Sequence, residues 1–347
     1  MQYFVGSYIA TILGVILAYF WGEHVRAGAG LVSIFIVFVL SVLEVSLSFD
    51  NAVVNAVKLE KMNEKWRGRF LTWGIMIAVF GMRFLFPILV VAVFAKISLL
   101  EVARIALTDS SKYAHYLNLT HAPIVAFGGT FLMMLYWGYF FSATKELHWI
   151  KWVEKKLKSV GTIKGAETMV TLLALFLVQH HVASWQRLHV VLAGMGGVFI
   201  FLLVDGITGW LEDKEEESIK QFSSVVKGAG LIGFLYLEII DASFSLDGVL
   251  GAFALSKDIV IITIGLAIGA MFVRSLTIML VEKKTLNKYL YLEHGAHWAI
   301  GALAVIMLVS TFHKVPEVFT GFVGLTFILA AYASSLIHNK KNQGEES

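Results

Sequence analysis

Cysteine is absent from this 347-residue sequence, and only 15% of its residues are charged. Without cysteine there are no disulfides, no thiolate metal sites and no cysteine nucleophile, and soft ions such as Cu(I) lack their usual ligand. A soluble domain carries roughly a quarter charged residues, so most of this chain is solvated by lipid or by other helices. A basic leader region and a small-residue cleavage site are also missing, so Met1 to Trp21 reads as a first spanning helix and not as a removable signal. Strict apolar/polar alternation is absent too, which excludes barrel strands and leaves helices.

What the chain has in abundance is apolar sequence, at 58% of residues. Ten runs approach the length that crosses a hydrocarbon core of about 30 Å: 3–21, 31–57, 70–95, 122–143, 167–184, 190–210, 229–255, 259–281, 296–312 and 316–337. The fifth is the weakest, because Glu167, Gln179, His180 and His181 lie in or beside it. With ten spans, alternate loops share a side, and 19 basic residues fall on one side against 7 on the other. The positive-inside rule then puts both termini in the cytoplasm. Trp21, Trp66, Trp149, Trp152, Trp185, Trp210 and Trp298 sit near span ends, as an interfacial aromatic belt requires. The basic residues Lys145–Lys164 fall on the cytoplasmic side of that division, and the acidic run Glu212–Glu217 reads as a solvated cytoplasmic loop.

An internal repeat organises the chain. Glu44-Val-Ser46-Leu-Ser48-Phe-Asp50-Asn51 matches Asp241-Ala-Ser243-Phe-Ser245-Leu-Asp247-Gly248. The correspondence continues through Thr72-x-Gly74 with Arg83 and Thr263-x-Gly265 with Arg274, then His121 with His294, then Glu167 with Glu317. The offset falls from 197 at Asp50/Asp247 to 150 at Glu167/Glu317, as longer loops in the first half would produce. The expected fold is therefore an all-α polytopic membrane protein: one transmembrane domain over 1–347, with repeats at 1–187 and 188–340. Five spans per repeat is an odd number, so the repeats are inverted, an arrangement that secondary transporters use around a midplane site.

Glu44, Asp50, Glu238, Asp241 and Asp247 all fall at membrane depth. At about 3 kcal/mol each, five such charges cost on the order of 15 kcal/mol. Arg83 and Arg274 offset part of that charge, and protons, water or a cation must supply the rest. Together with the Ser46, Ser48, Ser243 and Ser245 hydroxyls and the Asn51 amide, these carboxylates form an all-oxygen donor set. Such a set suits Mn(II), Ca(II) or Mg(II). Zn(II) recruits His or Cys, which both motifs lack. Glu44 and Ser48, four residues apart, share a helix face. Ser, Asp, Asn and Gly are poor helix-interior residues, so local unwinding is expected at Ser48–Asn51 and Ser245–Gly248. Buried acids and hydroxyls also serve as interhelical glue, but duplication of the whole motif argues for function. The pairs His180-His181 and His294-x-x-His297 are weak metal signals by comparison.

The two acidic motifs give the chain a resemblance to the TerC family of integral membrane proteins, extending over nearly its whole length. The resemblance implies residence in a bacterial plasma (inner) membrane and divalent-metal efflux, with manganese the ion most often discussed. Glu44, Asp50 and Asp247 match the family's acidic positions, whereas Gly248 replaces a frequent Asn and Glu238 is an additional acid. The expected function is a non-enzymatic secondary transporter exporting Mn(II) or a similar ion against protons, with no resident cofactor. Asp50 and Asp247 would be ligands or proton carriers, completed by Glu44 and Asp241. Glu238 would be the coupling acid, Ser48, Asn51 and Ser245 neutral ligands, and Arg83 and Arg274 the charge compensation. The expected partners are the lipid bilayer and the cation, without nucleic acid. Two alternatives stand beside this: a non-transporting membrane partner that helps load metal onto or assemble exported proteins, and an exporter of a cationic organic solute.

Overall fold

The computed structural model describes residues 2–62, 64–142, 145–220, 258–283 and 288–345, together with 231, 233–235, 237–239, 241, 252, 255 and 256. Among the described residues every regular element is helical. A 3₁₀ turn at Gln2–Phe4 leads into α1 (Val5–Val25), followed by α2 (Gly30–Leu47), α3 (Phe49–Lys61) and α4 (Glu64–Met76). A π-helical stretch at Ile77–Leu85 continues α4 directly into α5 (Phe86–Ala95). Then come α6 (Leu99–Thr108), α7 (Ser110–Phe140), α8 (Lys151–Val160), α9 (Ala166–Gln179) and α10 (Ser184–Lys220). The last helices are α11 (Ile259–Glu282), α12 (Leu292–Ser310) and α13 (Glu317–Glu345).

Among the described residues, six helices are long and apolar enough to cross a membrane: Gln2–Val25, Ser111–Phe140, Ser184–Ile207, Ile259–Glu282, Leu292–Ser310 and Phe319–Lys340. The bent pair Gly30–Ser46 and Asn51–Val57 makes a seventh if taken as one span. Large apolar side chains stand exposed on their outer faces, for example Leu17 and Phe20 of α1 at 60% and 67%. The chain is thus a multi-pass helical membrane protein. The described residues hold fewer spans than the ten expected, for identifiable reasons. Span 70–95 is divided among α4, the π stretch and α5. Span 167–184 becomes the 14-residue α9, only about 21 Å long at the α-helical rise. Most of span 229–255 lies outside the described residues.

Helix α11 is central to one side of the bundle and packs on α1, α2, α3 and the π stretch. On the other side α7 packs against α10 and α12, while α3 and α13 each touch helices of both groups. The largest apolar core joins Ala52, Val53 and Leu59 of α3 to Phe131 and Met134 of α7 and Ile300 and Met307 of α12. α7 begins earlier than its apolar run, because the Asp109 side chain accepts the Lys112 N–H at 3.0 Å and caps it.

Small residues set the helix separations. Gly265 and Gly269 lie one turn apart on α11 and face α2. A methyl group at Gly265 would stand 2.6 Å from Leu40 Cβ, and one at Gly269 would stand 2.5 Å from Glu44 Cβ. The Ser41 hydroxyl donates across this seam to the Gly265 carbonyl at 2.9 Å. Such close small-residue contacts are how helices associate where lipid removes the hydrophobic drive.

Candidate functional site

The first acidic motif falls on a break. Regular helix ends at Leu47, Ser48 has φ −106° and ψ 14°, and α3 starts at Phe49. The segments on either side differ in direction by 47°. The break coincides with the expected unwinding and follows from residues that favour caps and turns over helix interiors. Ser243, Ser245, Asp247 and Gly248 lie outside the described residues, and of Asp50 only the backbone is described.

One turn before the break, Glu44 is buried to 1% exposure and forms an ion pair with Arg83 of the π stretch, itself 3% exposed. Ser48 donates to the same Glu44 oxygen at 3.0 Å, as the shared helix face anticipates. Asp241 comes from the other repeat. The Asn55 side chain hydrogen-bonds its carboxylate, and the charges of Arg83, Glu44 and Arg274 all act on it. Glu238, buried one turn earlier, is within reach of the charges of Asp241 and Arg274. Gly74 of α4 makes room for this pair: a methyl there would be 2.7 Å from Glu238 Oε1 and 3.0 Å from Arg274 Nη2. The Arg274 guanidinium also lies 4.5 Å from the Phe70 ring centroid, a cation–π contact.

The structure therefore gathers Glu44, Ser48, Arg83, Glu238, Asp241 and Arg274 into one buried polar cluster, with Asn51 buried nearby in the first turn of α3. Among the described residues, no three His, Asp or Glu side chains are grouped closely enough to hold a metal ion. Sequence reasoning missed Asn55 and Gly269 and named Gly74 only as a position of the repeat. The spacing of Asn51 and Asn55, four apart on one helix face, was the signal available for the first.

Residues 49–342 match the family described as "Protein of unknown function (DUF475)". The chain belongs to this family. The DUF475 match begins at the first residue of α3, so Glu44 and Ser48 precede it while Asp50, Arg83, Asp241, Asp247 and Arg274 lie within. The chain is also similar to a curated relative, "Uncharacterized membrane protein YceF" of Bacillus subtilis (strain 168), with 34% identity over 145 residues. That alignment takes in 40% of this chain and 54% of the relative, so the chain spans about half the length of the curated relative it matches. No solved structure matches.

A second polar cluster in this DUF475 member joins α8 and the segment before it to α12. Glu154 of α8 is 1% exposed and accepts the Trp149 and Ile150 N–H groups at 3.1 Å and the Trp298 indole N–H at 3.2 Å. Lys145 pairs with it at 3.2 Å and lies over the Tyr139 and Phe140 rings. His294 Nε2 stands 3.6 Å away and hydrogen-bonds the Leu147 carbonyl at 2.9 Å. His297 stacks on Tyr139 at 3.6 Å. His180 and His181 direct Nδ1 at the Phe176 and Leu177 carbonyls. These contacts give both histidine pairs structural roles.

Glu154 latches α8 to α12. Burial disfavours its charge, but the Ile150 and Trp298 hydrogen bonds and the charges of Lys145 and His294 outweigh that, and the group titrates below its ordinary 4.5. The resulting stabilisation is complete above pH 4.5 and is lost as pH falls through the lower folded value. Burial pushes the Lys145 ammonium down to about 8, with Glu154 opposing the shift. Above that pH the ion pair disappears, but so does the cost of burying the ammonium. Relative to intrinsic rates, hydrogen exchange over residues 145–160 is accordingly expected to accelerate as pH falls below 4.5. Glu154→Gln should remove that acid-induced acceleration.

Proposed function

We propose that this DUF475-family chain is a secondary transporter that exports a hard divalent cation, Mn(II) first, in exchange for protons. The observation that carries this reading is the excess of buried negative charge. Among the described residues, the cations facing Glu44, Glu238 and Asp241 are Arg83 and Arg274, and the motifs add Asp50 and Asp247. In a membrane interior that excess requires protons or a cation, and alternation between the two is cation/proton exchange. The donors are oxygens, the preference of Mn(II), Ca(II) and Mg(II). The resemblance to TerC proteins points the same way.

Reciprocal contacts support an inverted repeat. Ser41 meets Gly265, and Glu238 meets Gly74. The offset of 197 relates Ser41 to Glu238, and 191 relates Gly74 to Gly265. Each half thus lays its motif helix against the glycine of the other, the relation expected of two repeats about a pseudo-twofold axis. Ten spans, a bacterial inner-membrane location and cytoplasmic termini complete the reading, the orientation resting on the 19-to-7 division of basic residues.

A second reading, export of a cationic organic solute, is favoured by a cavity of about 740 Å³ lined by Glu167, Asp205, Glu293 and Lys145. Its volume lies in the range of small-molecule sites. Proteoliposome flux with Mn(II), Ca(II), Mg(II) and Zn(II) in parallel separates these readings. Saturable flux of one ion, reduced by about tenfold or more (about 1.4 kcal/mol) in both Asp50→Asn and Asp247→Asn, is the expected result. Flux of every ion unchanged in both variants refutes the site. Absence of any ion flux from folded protein turns the reading to an organic solute or to a non-transporting partner in metal loading.

A further inference from the structure

Asn55 lies on α3 one turn beyond Asn51, in the half of the chain opposite to Asp241, and is 5% exposed. Its side-chain amide hydrogen-bonds the Asp241 carboxylate, a bond that only the NH₂ end can donate. The other end, Oδ1, is buried and has no hydrogen-bond partner. Nearby, Glu238 Oε1 is likewise buried without a partner. A buried acceptor that has given up water and gained nothing is costly, and native structures avoid it unless an ion or water completes the site. Here the unsatisfied groups are the Asn55 amide oxygen and a Glu238 carboxylate oxygen, with the Nε and Nη2 donors of Arg274 also unpartnered in the same cluster. An occupant that satisfies both oxygens must be positive or donate hydrogen bonds.

We propose that the Asn55 amide oxygen is a ligand of the transported cation, acting beside the Asp241 carboxylate. The inference rests on the transporter reading and extends it to a residue outside the acidic motifs. The Asn55 N–H···Asp241 bond holds the two side chains in contact, and the amide oxygen and the carboxylate are both hard donors suited to Mn(II) or Ca(II). Because Asn55 and Asp241 belong to different repeats, an ion held between them ties the halves together. Movement of one half against the other separates the pair and releases the ion.

The test is Mn(II) binding to the full-length protein in nanodiscs, followed by electron paramagnetic resonance, with thermal unfolding measured on the same samples. Asn55→Ala is expected to weaken binding about tenfold while remaining folded. Asn55→Asp keeps an oxygen at the position and adds charge, so it should bind at least as tightly as the unaltered protein. If both variants weaken binding equally, Asn55 acts only as a donor to Asp241, and the ligand assignment falls. It falls also if neither changes binding while Asp50→Asn abolishes it, an outcome that leaves the carboxylate site standing. Failure of the unaltered protein to bind Mn(II), or binding unaffected by Asp50→Asn, overturns the transporter reading and the Asn55 assignment together.

Discussion

Arg83→Leu is expected to cost about 3–5 kcal/mol of stability, read as a large fall in the melting temperature of the purified protein. Removing the guanidinium leaves the Glu44 carboxylate without its counter-charge in a site where it is 1% exposed and where, among the described residues, the Ser48 hydroxyl is its other hydrogen-bond donor. Lipid offers that carboxylate no water to fall back on. The double variant Glu44→Gln/Arg83→Leu removes both charges and should recover much of the loss. Recovery should stay incomplete, because Arg83 also acts on Asp241. A double-mutant cycle on Glu44 and Arg83 therefore measures the pair, and adding Asp241→Asn to the cycle measures the third member. Equal melting temperatures for Arg83→Leu and the unaltered protein would mean that the buried pair carries no weight.

The second large effect is expected at Gly269. A methyl group there would lie 2.5 Å from Glu44 Cβ, 2.7 Å from Glu44 Cγ and 2.8 Å from the Ser41 carbonyl oxygen. One of those atoms is backbone and the others begin the side chain of the central acid, so relief requires α11 and α2 to move apart. Gly269→Val should cost about 1–3 kcal/mol through overpacking. It should also abolish cation flux, because separating these helices withdraws Glu44 from its place. Gly68 of α4 provides the comparison, since a methyl there meets nothing within 4 Å. Gly68→Ala should leave flux unchanged and stability equal or slightly higher, given the poor helix propensity of glycine.

The apolar helices were legible because lipid solvation imposes composition on long runs. So was the relation of Glu44 to Ser48, which depends only on helical spacing, and the break at Ser48, which depends on local residue preference. Arg83 was identifiable as a partner because so few cations lie at membrane depth. Glu154 was not legible. Its burial depends on Trp298 and His294, nearly 150 residues away, and a Lys-rich amphipathic segment looks the same whether solvated or docked. The shortness of α9 was foreshadowed by the polar residues at its ends. Asn55 was hidden for a different reason: its spacing from Asn51 marks a helix face, but that face acquires meaning only when Asp241 is found against it. The second motif, at Ser245 and Asp247, lies outside the described residues.

The π-helical stretch at Ile77–Leu85 has a mechanical consequence. Each hydrogen-bonded loop in it takes up one residue more than in an α-helix, and Arg83 lies within this stretch. Extra residues stored in a wide coil are slack. If part of the stretch recoils as ordinary helix, fewer residues close each turn, and the side chains along and beyond it rotate about the axis. Rewinding of this kind would turn the Arg83 guanidinium about the helix axis relative to Glu44 of its own half and Asp241 of the other, both of which act on it now.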